Sequence, residues 1–220
     1  MKKPKIFIAC DTTKISKVRR ILRFAKSTKM KIGYKFGLEF MNSKNGRPFI
    51  SKLKNKIIFV DLKLNDTVNT MLSAVKALKD LKINYLTVHI SSGLSALKAV
   101  KKVSGPTKII GITTLTSLNN GDLKLIGYSK SVKNLVIHQA KLAKKAGLDA
   151  LVCSPHEVKA VRKIFKREII TPGVQIGKRN YDQKRSMEAK KVESDWLVIG
   201  RAITRGNIKK NIQNLAKELR

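Results

Sequence analysis

Short apolar runs alternate along the whole chain with segments whose apolar residues recur every three or four positions. The runs are near-continuous in apolar residues, which is typical of parallel strands that are covered on both faces. They predict eight strands, at residues 5–11, 30–36, 57–63, 85–90, 108–115, 150–154, 168–174 and 196–200.

The segments between the runs predict helices, because their apolar residues fall on one face at helical spacing. Two clear sets are Met71, Leu72, Val75, Leu78 and Leu81, and Ile208, Ile212, Leu215 and Leu219. Eight strand–helix units in 220 residues leave about 27 residues for each unit, which fits a compact barrel. The pattern therefore predicts an α/β fold, a single (β/α)₈ TIM barrel, with one catalytic domain spanning residues 1–220.

A doubly wound open sheet is the alternative fold. Such sheets usually carry a glycine-rich fingerprint directly after the first strand. Here the first apolar run is followed by Asp11, Thr12, Thr13 and Lys14, so the barrel is favoured.

Composition changes this picture little. Hydrophobic residues make up 42% of the chain, and no run approaches the eighteen apolar residues of a membrane span. The first residues lack the pattern of a signal peptide, so we expect a cytoplasmic protein without membrane contact.

The net charge of +34 comes mostly from lysines spread over the whole length, whereas specific nucleic-acid sites concentrate arginine on one element. We therefore expect no specific nucleic-acid partner.

Chemistry in a barrel is built at the carboxyl ends of the strands. Asp11 ends the first apolar run, Asp61 and Lys63 end the third, and Lys31 lies in the second. Asp61 and Lys63 are two positions apart on a strand, so their side chains should share a face. A purely structural ion pair is one interpretation of them.

Asp66, three residues after Lys63, favours a functional interpretation instead. A lysine between carboxylates stays protonated, because opposite charges favour its charged form. Lys31 could balance the charge of Asp61. Such an alternation of acids and bases suits a reaction in which carbanion character develops and is then protonated.

The loops after the seventh and eighth strands commonly form a phosphate site in this fold. Gly173 and Gly177 let backbone amides approach an anion, and Gly200 and Arg201 end the eighth run. The alternative to a phosphate-binding role for Arg201 is that of an ordinary surface residue.

His89 ends the fourth run, where a packed side chain is favoured over one that lines the pocket. No histidine has metal-ligand spacing with another histidine or a cysteine, so no metal is expected. The chain also has no cofactor-binding motif, so no other cofactor is expected.

Taken together, these residues resemble the orotidine 5'-phosphate decarboxylase family. Asp61, Lys63 and Asp66 match its D-x-K-x-x-D signature, and Thr70 matches the threonine that follows. The resemblance covers nearly the whole chain in order. Its other segments are Ala9-Cys10-Asp11, Lys31-Ile32-Gly33, Val88-His89-Ile90-Ser91-Ser92-Gly93, Leu115-Thr116-Ser117, Gly147-Leu148-Asp149, Val152-Cys153-Ser154, Thr171-Pro172-Gly173-Val174, Asp182-Gln183-Lys184-Arg185 and Val198-Ile199-Gly200-Arg201.

The resemblance implies the decarboxylation of orotidine 5'-phosphate to UMP and CO₂, without a cofactor. Lys63 would protonate C6 of the pyrimidine, and Asp61 would lie against the substrate carboxylate. Asp66 and Thr70 would be contributed across a homodimer interface, so that each site is shared by two chains.

The remaining implied roles concern substrate binding. Asp11 and Lys31 would contact the ribose hydroxyls, and Lys31 would also join the catalytic charge network. Thr116 and Ser117 would contact the pyrimidine. The phosphate-side contacts would come from Gln175, Gln183, Gly200 and Arg201. Gln175 departs from the family, because similar bacterial members often have arginine there. Gln175 can donate a hydrogen bond but brings no charge, which puts the details of phosphate binding in question.

Two other functions stay open at this point. The sister enzymes 3-hexulose-6-phosphate synthase and 3-keto-gulonate-6-phosphate decarboxylase share the D-x-K-x-x-D signature, use magnesium, and typically have Glu where this chain has Lys31. A non-catalytic, basic nucleic-acid-binding barrel is less favoured, because Asp11, Asp61 and Asp66 would repel phosphates.

Overall fold

The strands of the barrel follow one another around a closed ring. The computed structural model describes residues 5–175, 187–188 and 191–219. The strands within these residues are β1 (Lys5–Ala9), β2 (Ile32–Gly37), β3 (Ile57–Leu64), β4 (Tyr85–His89), β5 (Lys108–Ile112), β6 (Ala150–Val152), β7 (Glu168–Thr171), β8 (Val174–Gln175), β9 (Met187–Glu188) and β10 (Trp196–Ile199). Strands β1 to β7 pair in chain order, and β10 closes the ring between β7 and β1, with every pair parallel. Strands β8 and β9 form a separate parallel pair.

The closed ring confirms the predicted barrel, and the doubly wound alternative is wrong, since it would be an open sheet. Each of the eight predicted runs overlaps one barrel strand, and β2 and β3 extend one residue beyond their runs. The strands end earlier than the apolar runs after residues 9, 112 and 171, because the chain there turns out of the ladder into the loops that line the site. The second strand begins at Ile32, later than the predicted start at residue 30.

Helices cover the outside of the barrel. They are α1 (Ile15–Ala25), α2 (Leu38–Met41), α3 (Gly46–Ser51), α4 (Val68–Ala77), α5 (Leu94–Val103), α6 (Asn120–Leu125), α7 (Val132–Lys145), α8 (Val158–Ile164), α9 (Arg201–Thr204) and α10 (Ile208–Glu218). The set predicted from Met71 divides into α4 and a 3₁₀ turn at Lys79–Leu81. The set predicted from Ile208 forms α10, whose buried residues face the barrel. None of the helices in the described ranges has the length and apolar character needed to cross a bilayer.

The amino-terminal half of the barrel interior is filled by aromatic rings. The rings of Phe7 and Trp196 stack with centroids 4.0 Å apart, and Phe59 and Tyr85 pack against Phe7 edge-on. Because these rings fill the amino-terminal half, space for a ligand inside the described part of the barrel lies towards the carboxyl-terminal end.

The carboxylate of Glu168 lies beneath the aromatic layer. Glu168 accepts hydrogen bonds from Lys5, Lys108, the Tyr85 hydroxyl and the Trp196 indole. Burial alone would raise the pKa of Glu168, but the hydrogen bonds from Lys5, Lys108 and the Tyr85 hydroxyl, together with the charge of Lys108, lower it to about 2. The carboxylate is therefore ionised at neutral pH and ties together strands on different sides of the barrel.

Candidate active site

A cavity of about 380 Å³ opens at the carboxyl ends of the strands. Its floor consists of inward-facing strand residues, and its rim of the loops that follow them. The lining residues are Ala9, Asp11, Lys35, Phe59, Asp61, Lys63, Ile112, Thr114, Leu115, Thr116, Val152, Pro172, Gly173, Val174, Val198, Gly200, Arg201 and Ala202. The cavity thus lies where barrel enzymes bind their substrates.

One wall of the cavity carries charges of alternating sign. Lys35 Nζ lies 3.0 Å from Asp11 Oδ1 and 3.4 Å from Asp61 Oδ2. The same Asp61 Oδ2 lies 3.0 Å from Lys63 Nζ. The order along the wall is therefore Asp11, Lys35, Asp61, Lys63, with acids and bases in direct contact.

Burial and charge oppose each other in the centre of this wall. Burial alone would lower the pKa of Lys35, but the carboxylates of Asp61 and Asp11 outweigh it and raise that pKa. Burial alone would raise the pKa of Asp61, but Lys35 and Lys63 lower it. At neutral pH the two central groups are an ammonium and a carboxylate, which stabilise each other in a poorly hydrated place.

Lys35 takes the place that we predicted for Lys31. Lys31 is exposed and precedes β2, and its carbonyl accepts from the amide of Ile6 near the start of β1. It therefore lies at the amino-terminal end of the barrel, away from the cavity, and its predicted place in the site is wrong. Lys35 lies four residues further along β2, close to the carboxyl end, where the side chain reaches both Asp11 and Asp61.

The error has a clear cause in the sequence, which repeats Lys-x-Gly as Lys31-Ile32-Gly33 and Lys35-Phe36-Gly37. A Cβ on Gly33 would lie 2.5 Å from the Phe7 ring, so this glycine serves the aromatic layer. A Cβ on Gly37 would lie 3.2 Å from Asp11 Oδ1 and 3.3 Å from Lys35 Nζ, so the second glycine leaves room for the ion pair.

Asp61 and Lys63 do contact each other, but not through regular strand alternation. Lys63 has φ +51°, in the left-handed region, and β3 loses its regular register between Val60 and Leu64. The amide of Lys63 donates to Thr87 Oγ1 at 2.8 Å, and that hydroxyl donates to Asp61 Oδ1 at 3.0 Å. Thr87 was not among the predicted residues.

The loop after β5 contributes Thr116 to the cavity, whereas Ser117 is exposed and outside the lining. Thr114, which we did not predict, also lines the cavity. Its amide and hydroxyl both donate to Gln139 Oε1, at 2.8 and 3.1 Å, from the buried face of α7. This contact fixes the start of the loop against the helix layer.

The opposite rim is formed by the segments after β7 and β10. Gly173, Gly200 and Arg201 line it, and Gly173 has φ +74°, which glycine adopts without strain. Gln175 is the last residue of β8, and its side chain lies outside the described part of the structure. Gln183 lies wholly outside the described residues.

Asp66 and Thr70 are exposed and do not line the cavity of their own chain. Asp66 Oδ1 accepts from the amide of Thr67 at 2.6 Å, and the hydroxyls of Thr67 and Thr70 are 3.0 Å apart. Both predicted residues thus lie on the loop and first turn after β3, outside the cavity lining.

The described residues offer no group of three or more His, Cys, Asp or Glu side chains arranged to hold a metal ion. His89 is half-buried at the end of β4 and outside the cavity lining. Burial lowers the pKa of the His89 imidazole, and the positive charge of Lys63 lowers it further. In the cavity, the ammonium of Lys35 lies beside Asp61, where it would compete with a divalent cation for that carboxylate.

Comparison with known proteins shows the family to which this chain belongs. The sequence profile of the Orotidine 5'-phosphate decarboxylase / HUMPS family matches residues 4–212. The orotidine 5'-phosphate decarboxylase of Wolbachia sp. subsp. Brugia malayi (strain TRS) is 39% identical over 222 residues, covering 96% of each chain. That of Wolbachia pipientis subsp. Culex pipiens (strain wPip) is 41% identical over 211 residues, covering 90% of this chain and 91% of the relative.

A solved structure gives the same result in three dimensions. The crystal structure of orotidine 5'-phosphate decarboxylase from Lactobacillus acidophilus superimposes with a TM-score of 0.82, at 29% identity and with 99% of each chain covered. The fold, the match along the sequence and the relatives agree. The chain therefore belongs to the Orotidine 5'-phosphate decarboxylase / HUMPS family.

Proposed function

We propose that this protein decarboxylates orotidine 5'-phosphate to UMP and CO₂ in pyrimidine biosynthesis, within a single catalytic domain spanning residues 1–220. The observation that carries the proposal is the contact series Asp11–Lys35–Asp61–Lys63 on one wall of the cavity. The two curated relatives, whose matches cover 96% and 90% of the chain, are orotidine 5'-phosphate decarboxylases, which supports the same reaction.

The wall suits a reaction that removes one negative group and creates another. Asp61 would lie against the substrate carboxylate, and the repulsion between these two anions would be relieved as CO₂ departs. The bond from C6 to the carboxylate breaks and its electron pair stays on C6. Lys63 then transfers a proton from its ammonium to C6, and solvent later restores the proton to Lys63.

Lys35 would hold Asp61 ionised during this sequence and would take the ribose and charge-network roles that we predicted for Lys31. Asp11 touches Lys35 and is half-exposed at the cavity, where its second oxygen can accept from a ribose hydroxyl. Thr116 would contact the pyrimidine. Ser117, which is exposed, would have to move with its loop to do so.

The phosphate would bind at the opposite rim. Arg201 brings a guanidinium suited to phosphate oxygens, and Gly200 and Gly173 let backbone amides come close. Gln175 and Gln183 stay predictions for this end of the site. A phosphate bound here lies away from the reacting carbon, so that its binding energy can be used to lower the chemical barrier.

We further propose a homodimer with shared sites in the cytoplasm. Asp66 and Thr70 are exposed beside their own cavity, and Val68 between them is an apolar side chain exposed by 37%. An exposed apolar residue between two polar ones fits a surface that a second copy covers. In such a dimer, Asp66 would extend the alternating charges by facing Lys63 of the other chain.

A complementation experiment tests the shared site. Lys63→Ala and Asp66→Ala chains should each be nearly inactive alone. After subunit exchange, half of the dimers are mixed and each has one site with both residues intact, so activity should return to about a quarter of the wild-type value. The matched control mixes Lys63→Ala with Asp61→Ala chains, whose defects lie in the same chain's cavity, and no activity should return. Exchange without recovery in the first mixture would mean that Asp66 acts within its own chain.

The reaction itself is tested by the loss of absorbance on adding orotidine 5'-phosphate to protein in excess EDTA. We expect full turnover, because the proton donor and the charge network are side chains of the protein. Activity that disappears with EDTA and returns with magnesium would favour the sister enzymes of the family. Salt-dependent binding to DNA without any turnover would favour the nucleic-acid-binding alternative.

A further inference from the structure

The bulge in β3 places three residues of that strand opposite one residue of β4. Val60 pairs with Leu86 and Leu64 pairs with Val88, so that Asp61, Leu62 and Lys63 all lie across from Thr87. On its other side, Thr87 pairs regularly with Ile110 of β5. The irregularity therefore lies in β3 alone, next to two of the charged residues of the cavity.

The hydroxyl of Thr87 occupies the gap that the bulge creates. Its side chain is fully buried, and its oxygen accepts from the amide of Lys63 at 2.8 Å. A backbone amide can only donate, so the single hydroxyl proton remains for Asp61 Oδ1, 3.0 Å away. The direction of both hydrogen bonds is thereby fixed.

These two contacts act on different parts of the site. The bond from the amide holds the backbone of Lys63 at φ +51°, a conformation that a lysine rarely adopts by itself. The bond to Oδ1 fixes the rotation of the Asp61 carboxylate, whose other oxygen receives Lys63 and Lys35. The same hydrogen bond contributes to lowering the pKa of Asp61.

We propose that Thr87 is a positioning residue of the reaction: its hydroxyl sets both the backbone of Lys63 and the orientation of Asp61, so that ammonium and carboxylate face the same reacting carbon. This inference rests on the proposed function, since it assumes the roles given to those two residues. Thr87 does not line the cavity, so it would act on the substrate only through Lys63 and Asp61.

A positioning role predicts a loss in turnover rather than in binding. Displacing a catalytic group by about 1 Å can reduce the rate roughly 100-fold. Replacing the hydroxyl by a methyl group in Thr87→Val should therefore lower kcat roughly 100-fold, while KM changes by less than about threefold, because the phosphate rim is intact. Thr87→Ser keeps the hydroxyl and should stay within about fivefold of the wild-type kcat.

The test compares two pairs that differ in the hydroxyl: wild type with Thr87→Val, and Thr87→Ser with Thr87→Ala. Each variant is assayed for kcat and KM with orotidine 5'-phosphate after circular dichroism has confirmed its fold. If Thr87→Val does not fold, the Ser and Ala variants decide the matter. A wild-type kcat in Thr87→Val or Thr87→Ala, a loss seen only in KM, or an equal loss in Thr87→Ser would each overturn the inference. Failure of the proposed function is distinct, because then the wild type itself would not turn over the substrate.

Discussion

Lys63→Ala should reduce turnover of orotidine 5'-phosphate by at least about 10⁴-fold, the upper range of what a positioned proton donor contributes. The substitution removes the ammonium that we propose as the donor of the proton to C6. It also removes a cation that contacts Asp61, which then keeps its contact with Lys35. Binding of the product UMP should change far less, because the rim that we propose for the phosphate, at Gly173, Gly200 and Arg201, lies on the other side of the cavity. Single-turnover kinetics and UMP titration separate the two effects.

Lys63→Gly is the matched control for the fold. Neither variant has the ammonium, but glycine adopts φ +51° without strain, whereas alanine does not. The glycine variant should therefore be more stable than the alanine variant by about 1 kcal/mol, measured by urea unfolding. Near-normal turnover in either folded variant would exclude Lys63 as the proton donor.

Lys35→Ala should also abolish most of the activity, whereas Lys31→Ala should leave it unchanged. Lys35 is buried between Asp11 and Asp61, so its removal leaves two carboxylates without their shared cation. We expect a loss of roughly 10³-fold in kcat and of roughly 3–5 kcal/mol in stability, as for other broken buried ion pairs. Exposed Lys31 should change stability by less than about 0.5 kcal/mol.

Lys35→Gln keeps length and a donor, and it provides a better folded variant if Lys35→Ala aggregates. The assay is kcat with orotidine 5'-phosphate for all three proteins, together with their urea unfolding midpoints. If Lys31→Ala lost activity while Lys35→Gln kept it, the register of β2 relative to β1 and β3 would have to be revised.

The sequence was most informative where one rule of chain geometry decided the outcome. The eight apolar runs predicted the eight barrel strands, because parallel strands covered on both faces need continuous apolar residues. Asp11, Asp61, Gly200 and Arg201 were placed at the cavity by the rule that barrel sites lie at the carboxyl ends of strands.

The Lys-x-Gly motif points to Lys31, whereas the rule that barrel sites lie at the carboxyl ends of strands points to Lys35. The two copies of Lys-x-Gly look equivalent as a motif, and they differ only in depth along β2. Attention to the end of the apolar run, rather than to the motif, would have distinguished them.

Thr87 illustrates what a sequence alone does not reveal. A threonine inside an apolar strand is ordinary, and its role here depends on a bulge in the neighbouring strand. Nothing in the residues around Lys63 marks that bulge: Lys63 is not a glycine, and no proline or asparagine precedes it within the strand. The contact exists only after two strands distant along the chain have paired.

The left-handed backbone conformation at Lys63 means that stability and the proposed chemistry favour different residues at this position. Selection for stability alone would drive that position towards glycine, which adopts the same φ without strain. The proton transfer that we propose for Lys63 would give selection a reason to keep a lysine there, as at other sites where activity is maintained at the expense of stability. In a lineage that no longer needs to make its own pyrimidines, Lys63 should be among the first residues to be substituted. The apolar residues of the surrounding strands should be substituted later, because stability still depends on them.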